Sequence, residues 1–281
     1  MPNVPLHPPK RISPFRKVAI GTWTTTYDPQ VYGTLGVRME KTEAYIKAFR
    51  AKTGKRLTVT HMVTAAVARA LAACPEANAM LRWNKIYLRK DVDISVLVVV
   101  PSEDGSKVDL SSAVVRKADQ CSLVEQIEQL DKQVGSIRRG EDKAMKKSKD
   151  TIGMVPFMLM NLFMKVLAFL MYDLNLDMRW AGMPKNAFGG ACVTNIGSLG
   201  LDTAYVPVVP YTRVPIWVAP GEIADEAVVD DGEVVPGRVM RVNATFDHRF
   251  IDGYHAMVLS KTIRKVLENP FDELDSLDDE S

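Results

Sequence analysis

Residues 237–254 read GRVMRVNATFDHRFIDGY, and the fold turns on how they are parsed. Val242, Ala244 and Phe246 alternate with Arg241, Asn243 and Thr245, which predicts a strand over 237–246 with one buried and one polar face. The alternation stops at Asp247. A turn that Gly253 closes follows, and then a helix from about Tyr254 to a stop before Asn269-Pro270. His248 therefore sits where the strand ends, with Asp252 four residues later in the turn. An imidazole, with an ordinary pKa of about 6.5, takes up a proton near neutral pH, and a nearby carboxylate can orient or charge-balance it. That pair is the equipment of a general base.

Working outward, a helix is expected from Lys41 to about Lys52, ending at Gly54. A second starts from a cap at Thr58 or Thr60, carries Val63, Val67, Ala70 and Leu71 on one face, and stops before Pro75. The near-continuous apolar run 93–100 reads as a strand buried on both faces. A shorter strand follows over 111–116, then a helix over 122–138 capped by Ser122 with Glu125 at the capping-box position. Strands are also expected over 189–194 and 216–219. This mixed order predicts an α/β fold, a two-layer sandwich of mixed sheet and helices rather than a doubly wound sheet. Residues 1–14 form a proline-studded extended arm in this reading, 15–270 one domain with an apolar helical insertion over about 142–186, and 271–281 a solvated acidic tail.

The chain has 281 residues with 36 basic and 34 acidic side chains, a net charge of +2 that gives no argument for nucleic acid. Cys74, Cys121 and Cys192 have no metal-ligand spacing and read as reduced thiols of a cytoplasmic protein; no metal is expected. Ile152 to Tyr172 is long and apolar enough to match a membrane span. Lys165 within it would cost about 3 kcal/mol in a bilayer. A single crossing would also separate the early helices from His248. The expectation is therefore a helix packed on the core or on a neighbouring subunit. A helix on a membrane surface, helped by the basic stretch Lys143 to Lys149, is the lesser reading.

Several blocks in order resemble the catalytic domain of the dihydrolipoyl acyltransferases of 2-oxo acid dehydrogenase complexes, and more distantly chloramphenicol acetyltransferase. They are Phe15-Arg16-Lys17, HMVTAAVARALAACPEANA (61–79), VVRKAD (114–119), VTNIGSLG (193–200) and the D-H-R-x-x-D-G pattern at 247–253. The resemblance implies a chloramphenicol acetyltransferase-like sandwich and a homotrimer whose active sites lie between subunits, the histidine from one chain and a hydroxyl from its neighbour. It implies acyl transfer between coenzyme A and a dihydrolipoyl thiol, with no lipoyl attachment in this chain and a separate lipoyl-bearing protein as partner. His248 would be the base, Thr194 the oxyanion donor where the family usually has serine, and Asp252 the carboxylate oriented by Arg16. Arg249 is expected in a fold-stabilising ion pair, His61 at a surface or cap, and His255 outside the chemistry. Three departures stand out: no lipoyl or partner-binding segment before residue 12, an acidic end where trimers of the family's cages meet, and Val218–Ile223 in place of a glycine-rich turn. They keep open a non-catalytic trimeric scaffold, or an acyltransferase to a small-molecule hydroxyl or amine.

Overall fold

In the computed structural model, which describes residues 2–8, 29–101, 108–139, 155–156 and 159–277, the alternating stretch before His248 is one arm of a long hairpin. Strands β8 (Ile216–Asp230) and β9 (Glu233–Asp247) pair antiparallel around Asp231-Gly232. Asp231 (φ 47°) and Gly232 (φ 87°) are both left-handed, the type I′ geometry that matches strand twist and that Asp-Gly favours. Both strands outrun the apolar pattern because their outer halves are exposed. Val218–Ile223, the segment that stands in place of the family's glycine-rich turn, lies inside β8, where an irregularity between Pro220 and Ile223 accommodates the proline.

Around this hairpin a six-stranded sheet is ordered β2-β9-β8-β7-β5-β6, with β2 at Gln30–Arg38, β5 at Ile94–Pro101, β6 at Val108–Val115 and β7 at Ala191–Val193. Strand β7 runs parallel to both neighbours and the remaining pairs are antiparallel. A small sheet, β1-β4-β3, joins Leu6–His7, Lys85–Arg89 and Ala79–Arg82.

Helices α1 (Glu40–Thr53), α2 (Val59–Ala73), α3 (Leu123–Arg138) and α5 (Gly253–Glu268) pack with the large sheet around one core. Gly54 ends α1 in the left-handed region (φ 68°), its N–H donating to the Arg50 carbonyl. The Ser122–Glu125 capping box forms as the sequence predicts. Tyr45, Phe49, Met62, Leu71, Ile94 and Met240 are fully buried, each worth about 1.5–3 kcal/mol relative to exposure. Alternation along β7 and β8 sends Ala191, Val193, Ile216 and Val218 into this core and Cys192 and Trp217 to the other face, where Val208 and Val214 cover them.

One expectation, the solvated tail, needs correction, and two others gain detail. Of the two places expected for His61 the structure takes the cap, from a buried position: its Nδ1 accepts the Thr58 N–H at 3.1 Å. The acidic tail is anchored as far as Leu277. The Asp275 carboxylate accepts the Leu123 N–H at 2.7 Å, its carbonyl accepts the Tyr45 hydroxyl, and Leu274 and Leu277 pack on the core. The described part of the N-terminal arm is extended but not loose. Asn3 is buried, its carboxamide donates to the Met171 carbonyl and accepts from the Asn186 N–H, and Val4 exchanges two hydrogen bonds with the Asn175 side chain.

Those partners belong to the apolar insertion. Helix α4 (Met160–Ala168) continues as one π-helical turn, Phe169–Asp173, and buries Leu167, Ala168, Met171 and Tyr172 against Val4, Met80 and Met178. Among the described residues no helix is long and apolar enough to cross a membrane. Nearby, Asp93 accepts from Arg116 (2.9 Å) and Asn186 (2.6 Å), while Arg89 donates to Asn186 (2.9 Å). Burial pushes the Arg89 guanidinium down to about 10, with Tyr172 and Asp93 acting the other way.

Candidate active site

The end of β9 is tied down on both sides before the chain turns. Asp247 N–H donates to the Pro215 carbonyl and His248 N–H to the Pro29 carbonyl at 2.7 Å. The Asp247 carboxylate then folds back on Arg249, accepting from its Nε (2.9 Å), its Nη2 (2.6 Å) and its backbone N–H (3.1 Å). Both side chains are buried, at 7% and 3% exposure. Arg249 is thus an ion-pair residue, as the sequence suggested. Its partner is the acid two residues earlier.

This clamp fixes the ring between the two residues. His248 is half-buried, and its Nδ1 lies 2.5 Å from the Ile251 carbonyl oxygen. A carbonyl only accepts, so Nδ1 carries the proton and the neutral ring holds its lone pair on Nε2. The turn therefore selects the tautomer a base acting through Nε2 requires. Gly253 is not a left-handed turn residue; it is the first residue of α5, and Asp252 is that helix's N-cap. The Asp252 carboxylate accepts from the Tyr254 N–H (3.0 Å) and the His255 N–H (3.3 Å), and pairs with His255 Nδ1 at 2.7 Å. His255 was missed by sequence reasoning as a partner of Asp252. Its signal is a capping box in which histidine replaces the usual Glu or Gln at the third helical position. Arg16, expected opposite Asp252, lies outside the described residues.

Thr194 extends β7 by one residue, its N–H donating to the Val218 carbonyl at 2.9 Å, and it is half-buried. Beside it, Asn195 donates to the Thr60 hydroxyl at 2.9 Å and its Oδ1 accepts from the Ser198 N–H. Within one chain Thr194 and His248 do not meet. The pairings Val193↔Val218 and Ala219↔Asn243 put Thr194 level with Asn243, five residues and two strand positions from His248. At about 3.4 Å per residue and 4.8 Å per strand, that is roughly 19 Å. A cavity of about 320 Å³ lies between α2, α5 and the sheet, lined by apolar groups including Val67, Leu71, Val242 and Met257; His248 is not part of its wall. Among the described residues no cluster of His, Cys, Asp or Glu could hold a metal ion.

A family model described as the 2-oxoacid dehydrogenases acyltransferase (catalytic domain) matches residues 10–154 and 185–274. The dihydrolipoyllysine-residue acetyltransferase component of the pyruvate dehydrogenase complex of Bacillus subtilis is 39% identical over 88 residues, 31% of this chain and 20% of its own length. Its counterpart in Rickettsia felis is 25% identical over 226 residues, 80% of this chain and 43% of its own length. The chain thus spans less than half of either curated relative. Among solved structures, a probable dihydrolipoamide acetyltransferase from Listeria monocytogenes has a TM-score of 0.64 at 18% identity, covering 97% of this chain and 99% of that one. The cubic core of a pyruvate dehydrogenase multienzyme complex has the same score and identity, covering 95% and 99%. At that identity the likeness is one of fold.

Proposed function

Because this chain belongs to the family of 2-oxoacid dehydrogenase acyltransferase catalytic domains, we propose that it moves an acyl group between coenzyme A and a dihydrolipoyl thiol on a separate protein, within a homotrimer. The observation that carries this reading is the His248 Nδ1–Ile251 carbonyl bond, which leaves Nε2 as the basic nitrogen. A thiol of ordinary pKa, about 8.5, is only a few per cent thiolate at neutral pH, so a base that removes its proton during attack accelerates transfer. In the proposed step the acceptor sulfur bonds to the thioester carbon as its proton passes to Nε2 of His248. The tetrahedral intermediate then collapses, the carbon–sulfur bond to coenzyme A breaks, and the leaving thiolate recovers that proton from the imidazolium.

The intermediate's oxyanion needs a donor, worth roughly 3–4 kcal/mol. The Thr194 hydroxyl is the candidate. Because it lies roughly 19 Å from His248 along the sheet of its own chain, the hydroxyl that serves one histidine is assigned to a neighbouring subunit. Asp252 holds the turn as helix cap, and Arg16 is proposed as its cationic partner. The dihydrolipoamide acetyltransferase of Azotobacter vinelandii was investigated for the roles of a serine, a histidine and an asparagine in its catalytic mechanism; histidine is the residue type shared with the set proposed here.

The test is His248→Ala, assayed with acyl-coenzyme A and free dihydrolipoamide. Coenzyme A binding is expected to persist while turnover falls by about 10²–10⁴-fold. Unchanged turnover would remove His248 as the base, and wild-type protein that ignores coenzyme A altogether would favour a scaffold.

A further inference from the structure

The cavity of about 320 Å³ between α2, α5 and the sheet has no part in the chemistry proposed above. Close-packed interiors keep few voids larger than one water molecule, and an apolar void that persists stays dry and takes up apolar molecules. A void of about 150 Å³ holds benzene, so twice that volume has room for roughly eight to twelve carbon atoms.

Small residues hold this space open where larger ones would fit. A Cβ on Gly33, inside β2, would meet nothing nearer than a Phe246 ring atom at 3.7 Å, and one on Gly253 would meet nothing within 4 Å. Neither glycine lies in the left-handed region, so neither turn geometry nor a close backbone approach requires it. A glycine inside a strand weakens it and commonly marks a place where a ligand comes near. Ala70, Ala244 and Ala256 continue the lining on α2, β9 and α5.

Of the residues on its wall, Gly253 and Met257 are exposed while Leu71, Val218, Val242 and Leu259 are buried. The cavity therefore opens at the first turn of α5 and ends in the core. That mouth adjoins the turn that holds His248. Gly253 follows Asp252, and Phe246 on the wall precedes His248 by two residues, about 7 Å of strand. Among the described residues no charged side chain lines the cavity, and its two hydroxyls already have partners. Thr34 donates to Asn243 Oδ1 (2.8 Å) and Ser260 to the Met257 carbonyl (3.1 Å). A carboxylate carried inside would lose its water with nothing to pair with. Resting on the acyltransferase reading, we propose that this cavity receives the acyl chain of the thioester. The substrate is then an uncharged aliphatic acyl-coenzyme A of medium length, its carbonyl at His248 and its tail in the cavity.

Turnover of acetyl-, succinyl- and octanoyl-coenzyme A with free dihydrolipoamide tests this. The kcat/KM for octanoyl is expected to exceed that for acetyl by at least about tenfold, with succinyl below both, since buried methylenes add discrimination. Ala256→Leu puts a helix-favouring side chain into the space, and Gly33→Val does the same from β2 with a residue that suits strands. Each is expected to cut the octanoyl-to-acetyl ratio by about tenfold or more. Thermal melting checks their folds, and filling a cavity should leave the midpoint unchanged or raise it. Octanoic acid alone is expected to raise the midpoint of wild type but not of Ala256→Leu. Wild type that prefers acetyl or succinyl, or folded variants that keep the wild-type ratio, overturn the proposal and leave the acyltransferase reading standing. No turnover with any donor removes that reading instead. Octanoic acid then decides the cavity alone: protection confined to wild type supports an aliphatic site, and no protection overturns it.

Discussion

Breaking the Asp247–Arg249 pair is expected to cost far more than removing it whole. The two side chains are 3% and 7% exposed, and they share contacts of 2.6, 2.9 and 3.1 Å. In Asp247→Ala the guanidinium stays buried without its carboxylate, which costs about 3–5 kcal/mol. Against a total stability of about 5–15 kcal/mol, that is a large fraction. Arg249→Met strands the carboxylate instead, although the Arg249 backbone N–H still donates to it, so its cost should fall at the lower end. The double variant Asp247→Leu/Arg249→Met leaves no orphaned charge and fills similar volume, so it should lie within about 1 kcal/mol of wild type or above it. Urea denaturation at one fixed protein concentration reads all three, since subunit association shifts the apparent midpoint. Single variants costing less than about 1 kcal/mol, or a double variant as unstable as the sum of the singles, would refute the reasoning. Because the pair brackets His248, the double variant should also lose turnover while keeping its fold.

His61 gives a pH dependence. Burial, reinforced by the Arg50 and Arg56 charges and opposed by Asp131, pushes its imidazole down to about 4. A folded value below the ordinary 6.5 means its contribution is present above pH 6.5 and lost as pH falls toward 4, at up to about 1.4 kcal/mol per unit. His61→Gln should flatten urea-midpoint curves across that window; an unchanged slope would assign the acid sensitivity elsewhere. At the helix cap, Asp252→Asn should retain stability and Asp252→Ala should lose about 1 kcal/mol. If the Asp252 charge also orients the site, the Asn variant will lose turnover despite its intact cap, and full activity would confine Asp252 to capping.

Legibility followed burial. Helices α2 and α3 and strand β5 were readable because their apolar patterns and caps agree, as in the Ser122–Glu125 box. Strand β2 was not, since Gly33 and Gly36 interrupt it and its regularity comes from pairing with β9 rather than from its own residues. The β3–β4 hairpin hid behind a Trp-Asn tip that carries no turn signature. The outer halves of β8 and β9 hid because exposed strands need not alternate. At the candidate site, D-H-R-x-x-D-G pointed to His248 and Asp252 but not to what each touches. The Ile251 carbonyl and the His255 ring are brought in by turn geometry, which a residue pattern does not encode. The tail's anchoring through Asp275 was equally invisible, because a backbone N–H on α3 and the Tyr45 hydroxyl on α1, both distant in sequence, make it.

Subunit complementation tests the shared site most directly. His248→Ala and Thr194→Ala chains, each expected to fall at least about 10²-fold alone, are co-expressed and assayed as mixed oligomers. If each site draws its imidazole and its hydroxyl from different chains, random mixing restores both groups at roughly one site in four, and activity should approach a quarter of wild type. Activity no higher than that of either variant alone would mean that both groups must come from one chain, and would contradict the account.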